Sequence, residues 1–142
     1  MRKNSAEVRV GRLLEVRVDA GYRSADDVDA LFDMLAAAVK TLPTGSKHVT
    51  IVDWRLCPIM SPETATYVTR RMVAVNETTE RSATVAPVDA PTTVLQFARL
   101  IRASNHPFRR LFHEEMAATS WLGEILNEEE QKRLRAFLAR AA

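Results

Sequence analysis

Five side chains that can do chemistry follow one predicted buried strand. The β-branched run Val49–Val52 predicts the strand, and the polar or reactive residues after it are Asp53, Arg55, Cys57, Ser61 and Glu63. Chemistry in α/β proteins tends to lie where loops open at the carboxyl ends of such strands. These residue types in this order match no catalytic set. They favour a docking surface instead, and the predicted partner-binding residues are Asp53, Arg55, Ser61 and Glu63.

Asp53 and Arg55 have two interpretations. In the functional one they form a polar cluster that contacts a ligand or a partner. In the structural one the Asp53 carboxylate accepts N–H groups of the loop and pairs with Arg55. The structural role is favoured, because polar residues at such junctions usually serve the fold.

Ser61, Pro62 and Glu63 have the composition of a helix start. As an N-cap, the Ser61 hydroxyl would accept a hydrogen bond from the amide of Glu63 or Thr64, worth about 1 kcal/mol. The second hypothesis is phosphorylation of Ser61 or Thr64, which adds about −1.5 to −2 charges. That charge would lie beside Asp53 and Glu63 and would switch a partner off. The capping role is favoured.

Cys57 and the three histidines raise the possibility of an enzyme. The apolar neighbours of Cys57 would bury the thiol and raise its pKa, which removes the nucleophile. His48, His106 and His113 lack the spacing of metal ligands. All four glycines are isolated, so a glycine-rich phosphate loop is excluded. We therefore predict a non-enzymatic protein with no metal and no cofactor.

Apolar residues of the same junction support an alternative function. They could line a pocket for a small apolar ligand or a lipid, and they are Trp54, Leu56, Ile59, Met60 and Met72. In this interpretation the protein is a ligand-binding domain.

A run of arginines further along the chain suggests an anion-binding patch. Its members are Arg99, Arg102, Arg109 and Arg110, with no acidic residue before Glu114. A phosphate-bearing partner or an anionic membrane surface could use such a patch. A solvated helix face is the more usual meaning of such a run.

Composition limits the remaining choices. The chain has 142 residues, 46% hydrophobic and 27% charged, which predicts a soluble globular protein with a single domain over 1–142. A net charge of +2 gives no support for nucleic-acid binding. The single cysteine, the absence of a secretory signal at the N-terminus and the lack of an apolar run of about 18 residues predict a cytoplasmic protein with no integral membrane segment.

Hydrophobic periodicity predicts alternating strands and helices, which implies a layered α/β fold with parallel neighbours. The predicted strands are 6–10 and 13–18, joined by a turn at Gly11, then His48–Asp53, Ala83–Val88 and Arg109–Phe112. The predicted helices begin near Ser24, Ser61 and Thr92 or Thr93, include Met116 to about Asn127, and end with a charged helix over 128–142. The edge of the N-terminal hairpin could pair across a homodimer.

Four segments in this order resemble the SpoIIAA-like, or STAS-like, superfamily of small α/β domains. They are the strand pair ending Leu14–Val16, the helix near Ser24, the strand Val49–Asp53 with its loop and helix, and the ending Arg109–Phe112 with Ala117–Leu122. The likeness covers most of residues 6–126, and the helix after Asn127 looks like an addition. The resemblance implies a mixed sheet of four to five strands with helices, plus that extra C-terminal helix.

The same resemblance implies a bacterial, non-enzymatic module for protein–protein regulation. Anti-sigma-factor antagonists of this superfamily switch partners through a phosphorylatable serine in an Asp-Ser-Ser-Gly motif. Here the matching region reads Met60-Ser61-Pro62-Glu63, and alignment from Asp53 puts that serine on Pro62 or Glu63. Some relatives of the fold hold lipids or other apolar molecules in a groove, as the alternative function requires.

Overall fold

The computed structural model describes residues 2–140 as a five-stranded sheet with helices on both faces. The strands are β1 (Asn4–Val8), β2 (Leu13–Val18), β3 (His48–Asp53), β4 (Thr79–Val85) and β5 (Arg109–Phe112). They lie side by side in chain order, with β1 antiparallel to β2 and all later neighbours parallel. The predicted mixed α/β sheet is confirmed.

Five helices cover the two faces of this sheet. They are α1 (Ala25–Val39), α2 (Pro62–Ala74), α3 (Pro91–Ala103), α4 (Glu115–Gly123) and α5 (Glu128–Leu138). Because strand side chains alternate between faces, Leu14 and Val16 of β2 pack against the layer of α1 to α3, whereas Leu13 packs against α4 and α5. The protein therefore has two apolar cores, one on each face of the sheet.

Strand β4 differs from its predicted position. It starts at Thr79 and ends at Val85, whereas the sequence predicted Ala83–Val88. Its first half carries polar side chains that are nevertheless buried, including Thr79 and Ser82. An apolar pattern could not reveal this half, because its burial depends on hydroxyl groups and not on hydrophobic residues.

Two smaller predictions also need correction. Strand β1 ends at Val8, two residues before the predicted end, and the turn that follows contains Gly11 at φ 56°. The helix predicted from Met116 to about Asn127 is α4, which ends at Gly123, and Met116 within it is 83% exposed. Met116 lies in the first turn of α4.

The C-terminal helix α5 packs onto the sheet. Two side-chain nitrogens of Arg133, Nε and Nη2, donate to the buried carboxylate of Glu15, each at 2.8 Å. Glu130 closes a capping box with Asn127 and also accepts the backbone N–H of Arg12 at 2.9 Å. The helix ends at Leu138, and residues 141 and 142 of the predicted helix lie outside the described residues.

In the part of the chain that the structure describes, no helix combines the length and the apolar character needed to cross a membrane. Strand β1 forms one edge of the sheet, which the homodimer hypothesis requires. The oligomeric state itself stays a prediction.

Candidate functional site

The carboxyl end of β3 is built around the buried side chain of Asp53, which is 0% exposed. Its carboxylate accepts hydrogen bonds from Arg17 at 2.7 Å and from Arg140 at 2.9 Å. It also accepts two from the guanidinium of Arg55, at 2.9 and 3.0 Å, and one from the Arg55 main-chain N–H at 3.1 Å. Asp53 therefore joins β2, β3, its own loop and the residues after α5, which is the structural interpretation.

The charges of this cluster keep Asp53 ionised. Burial raises the pKa of its carboxyl, but the hydrogen bonds from Arg55 and the charges of Arg55 and Arg140 outweigh it and hold the pKa below its ordinary value. Arg140 also pairs with Asp19, and Arg55 reaches Glu115. Because the Asp53 side chain is enclosed, it offers no exposed surface to a partner in this conformation. Its role in partner binding stays a prediction, and the structural interpretation accounts for all of its hydrogen bonds.

The loop from Trp54 to Ser61 is held in place at several points. The side-chain amide of Gln96 on α3 accepts the Met60 N–H at 2.9 Å and donates to the Met60 carbonyl at 2.7 Å. Pro58 packs against Gly21, where a Cβ atom would lie 2.7 Å from the proline ring. Gly21 has φ 75°, so a side chain there would also strain the backbone. Ile59, between these two attachments, is thus presented to solvent on a fixed backbone.

Ser61 caps α2, as predicted. Its hydroxyl accepts the N–H of Thr64 at 3.2 Å and lies 2.9 Å from the Thr64 hydroxyl. Ser61 and Glu63 are exposed, whereas Thr64 is 6% exposed. A modifying enzyme can therefore reach Ser61, and it cannot reach Thr64 while the first turn of α2 is folded. Phosphorylation of either residue is a hypothesis that the structure does not test.

Large exposed apolar side chains gather around this loop. They form what we call the carboxyl-end surface, and they are Leu56 (41% exposed), Ile59 (51%), Val88 (74%), Leu95 (54%) and Met116 (83%). Leu95 lines both a groove of about 410 Å³ beside Ile59 and one of about 590 Å³ beside Val88. Val88 in turn shares a third groove, of about 270 Å³, with Met116. Ile59, Leu95, Val88 and Met116 therefore form one continuous strip, and Leu56 is exposed on the same loop as Ile59.

The predicted apolar pocket does not form as a unit. Trp54, Met60 and Met72 are buried in the core, whereas Leu56 and Ile59 face solvent. Trp54 and Met72 do line an enclosed cavity between the sheet and α1 and α2, but its volume is about 50 Å³. Ligand pockets generally measure about 300–1,000 Å³, so this cavity suits a few water molecules. Placing all five residues in one pocket is wrong.

The wall of that cavity is partly polar. Thr50, Ser82 and Thr84 line it from the sheet, together with His48. Trp54 packs against Phe97 with the two rings tilted by 59° and their centroids 4.6 Å apart. Within residues 2–140, the Trp54 indole N–H is buried without a hydrogen-bond partner.

The predicted four-arginine patch is also wrong. Arg109 is 7% exposed, and its guanidinium donates to Asn76 at 2.7 Å and to the Ser104 hydroxyl at 2.9 Å. Ser104 ends α3, so the cation lies near the negative end of a helix dipole. Arg110 points to the other face and stacks over Trp121 at 4.7 Å. Neighbouring strand residues face opposite sides of a sheet, which separates these two cations.

Of the four residues that suggested an enzyme, Cys57 and His48 are buried, whereas His106 is half-buried and His113 is exposed. Burial raises the pKa of the Cys57 thiol to about 12, as the sequence predicted in direction. Burial, with a smaller effect of the Arg109 charge, lowers the pKa of His48 to about 4, and its Nδ1 lies 2.8 Å from the Thr50 hydroxyl. Among residues 2–140, no three His, Cys, Asp or Glu side chains are grouped as metal ligands would be.

Comparison with known proteins finds a structure with a similar fold but gives no information on activity. No family model matches the sequence, and no curated protein matches it either. A solved structure does resemble it: an uncharacterized DUF3478-family protein with a SpoIIAA-like fold from Shewanella loihica PV-4. The TM-score is 0.58 with 17% identity, over 86% of this chain and 97% of that one. This chain has a SpoIIAA-like fold.

The SpoIIAA-like fold places several surface residues that the sequence did not single out. Val88, Leu95 and Met116 belong to the carboxyl-end surface, and Gln96 fixes its central loop. A signal for Leu95 was available, because it lies off the apolar stripe of α3 formed by Phe97, Leu100 and Ile101. The Met60–Gln96 contact had no sequence signal, since it joins residues 36 positions apart.

Proposed function

We propose that this protein is a non-enzymatic regulatory or scaffold module, a single cytoplasmic bacterial domain that binds another protein through the carboxyl-end surface. The observation that carries the proposal is the continuous strip from Ile59 through Leu95 and Val88 to Met116. Soluble proteins rarely leave several large apolar side chains adjacent on one surface unless something covers them. Arg55, Ser61 and Glu63 border the strip and supply its polar contacts.

The fixed backbone of the loop supports this role. Binding costs less free energy when the contacting residues are already held in place. Gln96 and Gly21 hold both sides of Ile59, and Asp53 holds the start of the loop. An apolar side chain on such a loop suits an anchor that enters a pocket of the partner.

Ser61 offers a means of regulation. Its hydroxyl lies at the start of α2 and is exposed two residues after Ile59. A phosphate there would add about −1.5 to −2 charges next to an apolar contact. The partner would then have to desolvate that charge, so modified protein would bind more weakly. The SpoIIAA-like fold makes a serine in this region a reasonable regulatory site.

The enclosed cavity disfavours the alternative of a small apolar ligand. Its volume of about 50 Å³ is well below that of ordinary ligand pockets. Hydroxyl groups of Thr50 and Ser82 on its wall would also lose hydrogen-bonding water to an apolar guest.

Quantitative affinity capture from the source cells tests the proposal. The bait is the full chain in three forms: unchanged, Ile59→Glu and Met34→Glu. Met34 is a matched control, because it is an exposed apolar residue (37%) on α1 that is not part of the carboxyl-end surface. We expect a protein captured by the unchanged bait and by Met34→Glu, and depleted at least about tenfold with Ile59→Glu. Equal recovery with Ile59→Glu, when circular dichroism shows all three folded, would contradict the proposal.

A further inference from the structure

The groove between α2 and α3 is mostly apolar and is bounded partly by small side chains. Ala65 and Thr69 of α2 and Ala103 of α3 line it. Ile59 and Leu95 also line it, near the N-terminal ends of the two helices. Its volume is about 410 Å³. The small residues leave room between the two helices, and the exposed Ile59 and Leu95 provide apolar contacts. An α-helix of 13 residues, such as α3, is about 20 Å long.

The groove is positively charged toward the C-terminal half of α3. Arg99 is its one charged lining residue, and Arg102 lies three positions on, on the same side of α3. Both are exposed, as is Arg70 on α2. Among the described residues, none of these three arginines has a salt-bridge partner, although nine other arginines do. The cations are therefore free to meet carboxylates of a bound molecule.

The surroundings restrict what that molecule can be. Asp89 and Glu114 lie beside the neighbouring groove, and Glu63 lies at the start of α2. A nucleic acid or an anionic membrane would spread negative charge over these acidic residues as well as over the arginines. A peptide segment can place its carboxylates on the arginines alone and its apolar side between the helices.

We propose that the α2–α3 groove binds an amphipathic, acidic helical segment of the partner protein. The apolar side of the segment contacts Ile59 and Leu95, and its carboxylates pair with Arg99 and Arg102. Arginine suits this pairing because its planar guanidinium can donate two parallel hydrogen bonds to one carboxylate. This inference rests on the proposed function and specifies the chemistry of the partner.

Fluorescence anisotropy with a designed peptide tests the inference. The probe is a labelled 14-residue helical peptide, with Leu on one side and Glu flanking it; its matched form has Lys in place of every Glu. We expect saturable binding of the Glu peptide to the unchanged chain, weakened at least about tenfold by Arg99→Glu. The control Arg135→Glu, on an exposed arginine of α5, should leave the affinity within about twofold. The affinity of the Glu peptide should also fall as salt is raised.

Three results would overturn the inference: no binding of the Glu peptide to the unchanged chain, equal binding of the Lys peptide, or equal affinity of Arg99→Glu. Capture of the native partner distinguishes a failure of this inference from a failure of the proposed function. If Ile59→Glu loses the partner while the Glu peptide does not bind, the partner uses the surface without an acidic helix. If Ile59→Glu keeps the partner, the proposed function itself is contradicted.

Discussion

Asp53 accepts hydrogen bonds from both the main-chain N–H and the guanidinium of Arg55, two residues further along the chain. The polar pair that first suggested a site is therefore part of the framework, and the guanidinium of Arg55 also donates to the carbonyl of Leu138 at 2.9 Å. The pair holds the loop that carries Ile59. Docking then depends on the apolar residues beside it.

The buried carboxylate gives the clearest stability prediction. Asp53→Asn should lower the free energy of unfolding by about 3 kcal/mol or more, because Arg17, Arg55 and Arg140 would lose their shared counter-charge. Glu115→Gln is the matched control, since Glu115 also pairs with Arg55 but its side chain is 48% exposed. It should cost less than about 1 kcal/mol. Urea denaturation measures both. Similar losses for the two variants would refute the role given to Asp53.

Removing the N-cap of α2 should reduce stability less than Asp53→Asn does. Ser61→Ala should cost about 1 kcal/mol, because the Thr64 N–H would lose its side-chain acceptor. Ser61→Asp should retain most of the stability, since a carboxylate caps a helix as well and favours the positive end of its dipole. Thermal denaturation of the two variants decides the matter. If Ser61→Asp is as destabilised as Ser61→Ala, the Ser61 hydroxyl does not stabilise the protein by capping α2.

Neutral His48 makes stability depend on pH. Its pKa is lowered from 6.5 to about 4 in the folded protein, so the unfolded chain takes up the proton first as the pH falls. The contribution of His48 is complete above pH 6.5 and falls by about 3 kcal/mol on acidification to pH 4. The difference in unfolding free energy between the unchanged chain and His48→Gln should therefore shrink from pH 7.5 to pH 5. A constant difference would show that His48 is not held neutral.

Because the Cys57 thiol is buried, we expect it to react slowly with alkylating reagents. Burial raises the pKa of Cys57 to about 12, so almost no thiolate exists at pH 8. Alkylation by iodoacetamide should be at least about a hundredfold slower in the folded protein than in urea, where the thiol is exposed. Mass spectrometry over time gives both rates. Comparable rates would restore Cys57 as a candidate nucleophile.

The sequence predicted the elements well where one side of them is apolar, as in α1 with Val28, Leu31 and Phe32. It failed where polar groups are buried. The start of β4 was missed because Thr79 and Ser82 are enclosed, and Arg109 was assigned to a surface patch although it lies beneath α3. Such burial depends on partners far away in the chain.

The sequence singled out the junction that carries the candidate site but not all of its residues. Ile59 and Ser61 could be named from the sequence, since a strand end followed by a capped helix is a local pattern. The strip toward Leu95 and Met116 was not predictable, because it is formed by elements that meet only in the folded sheet. Likewise, the arginines that bind Asp53 come from residues 17 and 140 as well as from the adjacent loop.

Hydrogen–deuterium exchange of the protein, alone and bound to its captured partner, tests the central claim most directly. We predict slower exchange on binding at residues 56–66 and 88–99, with no change in β1 (Asn4–Val8) or the middle of α1. Slower exchange confined to β1 and α1, with 56–66 unchanged, would contradict docking at the carboxyl-end surface.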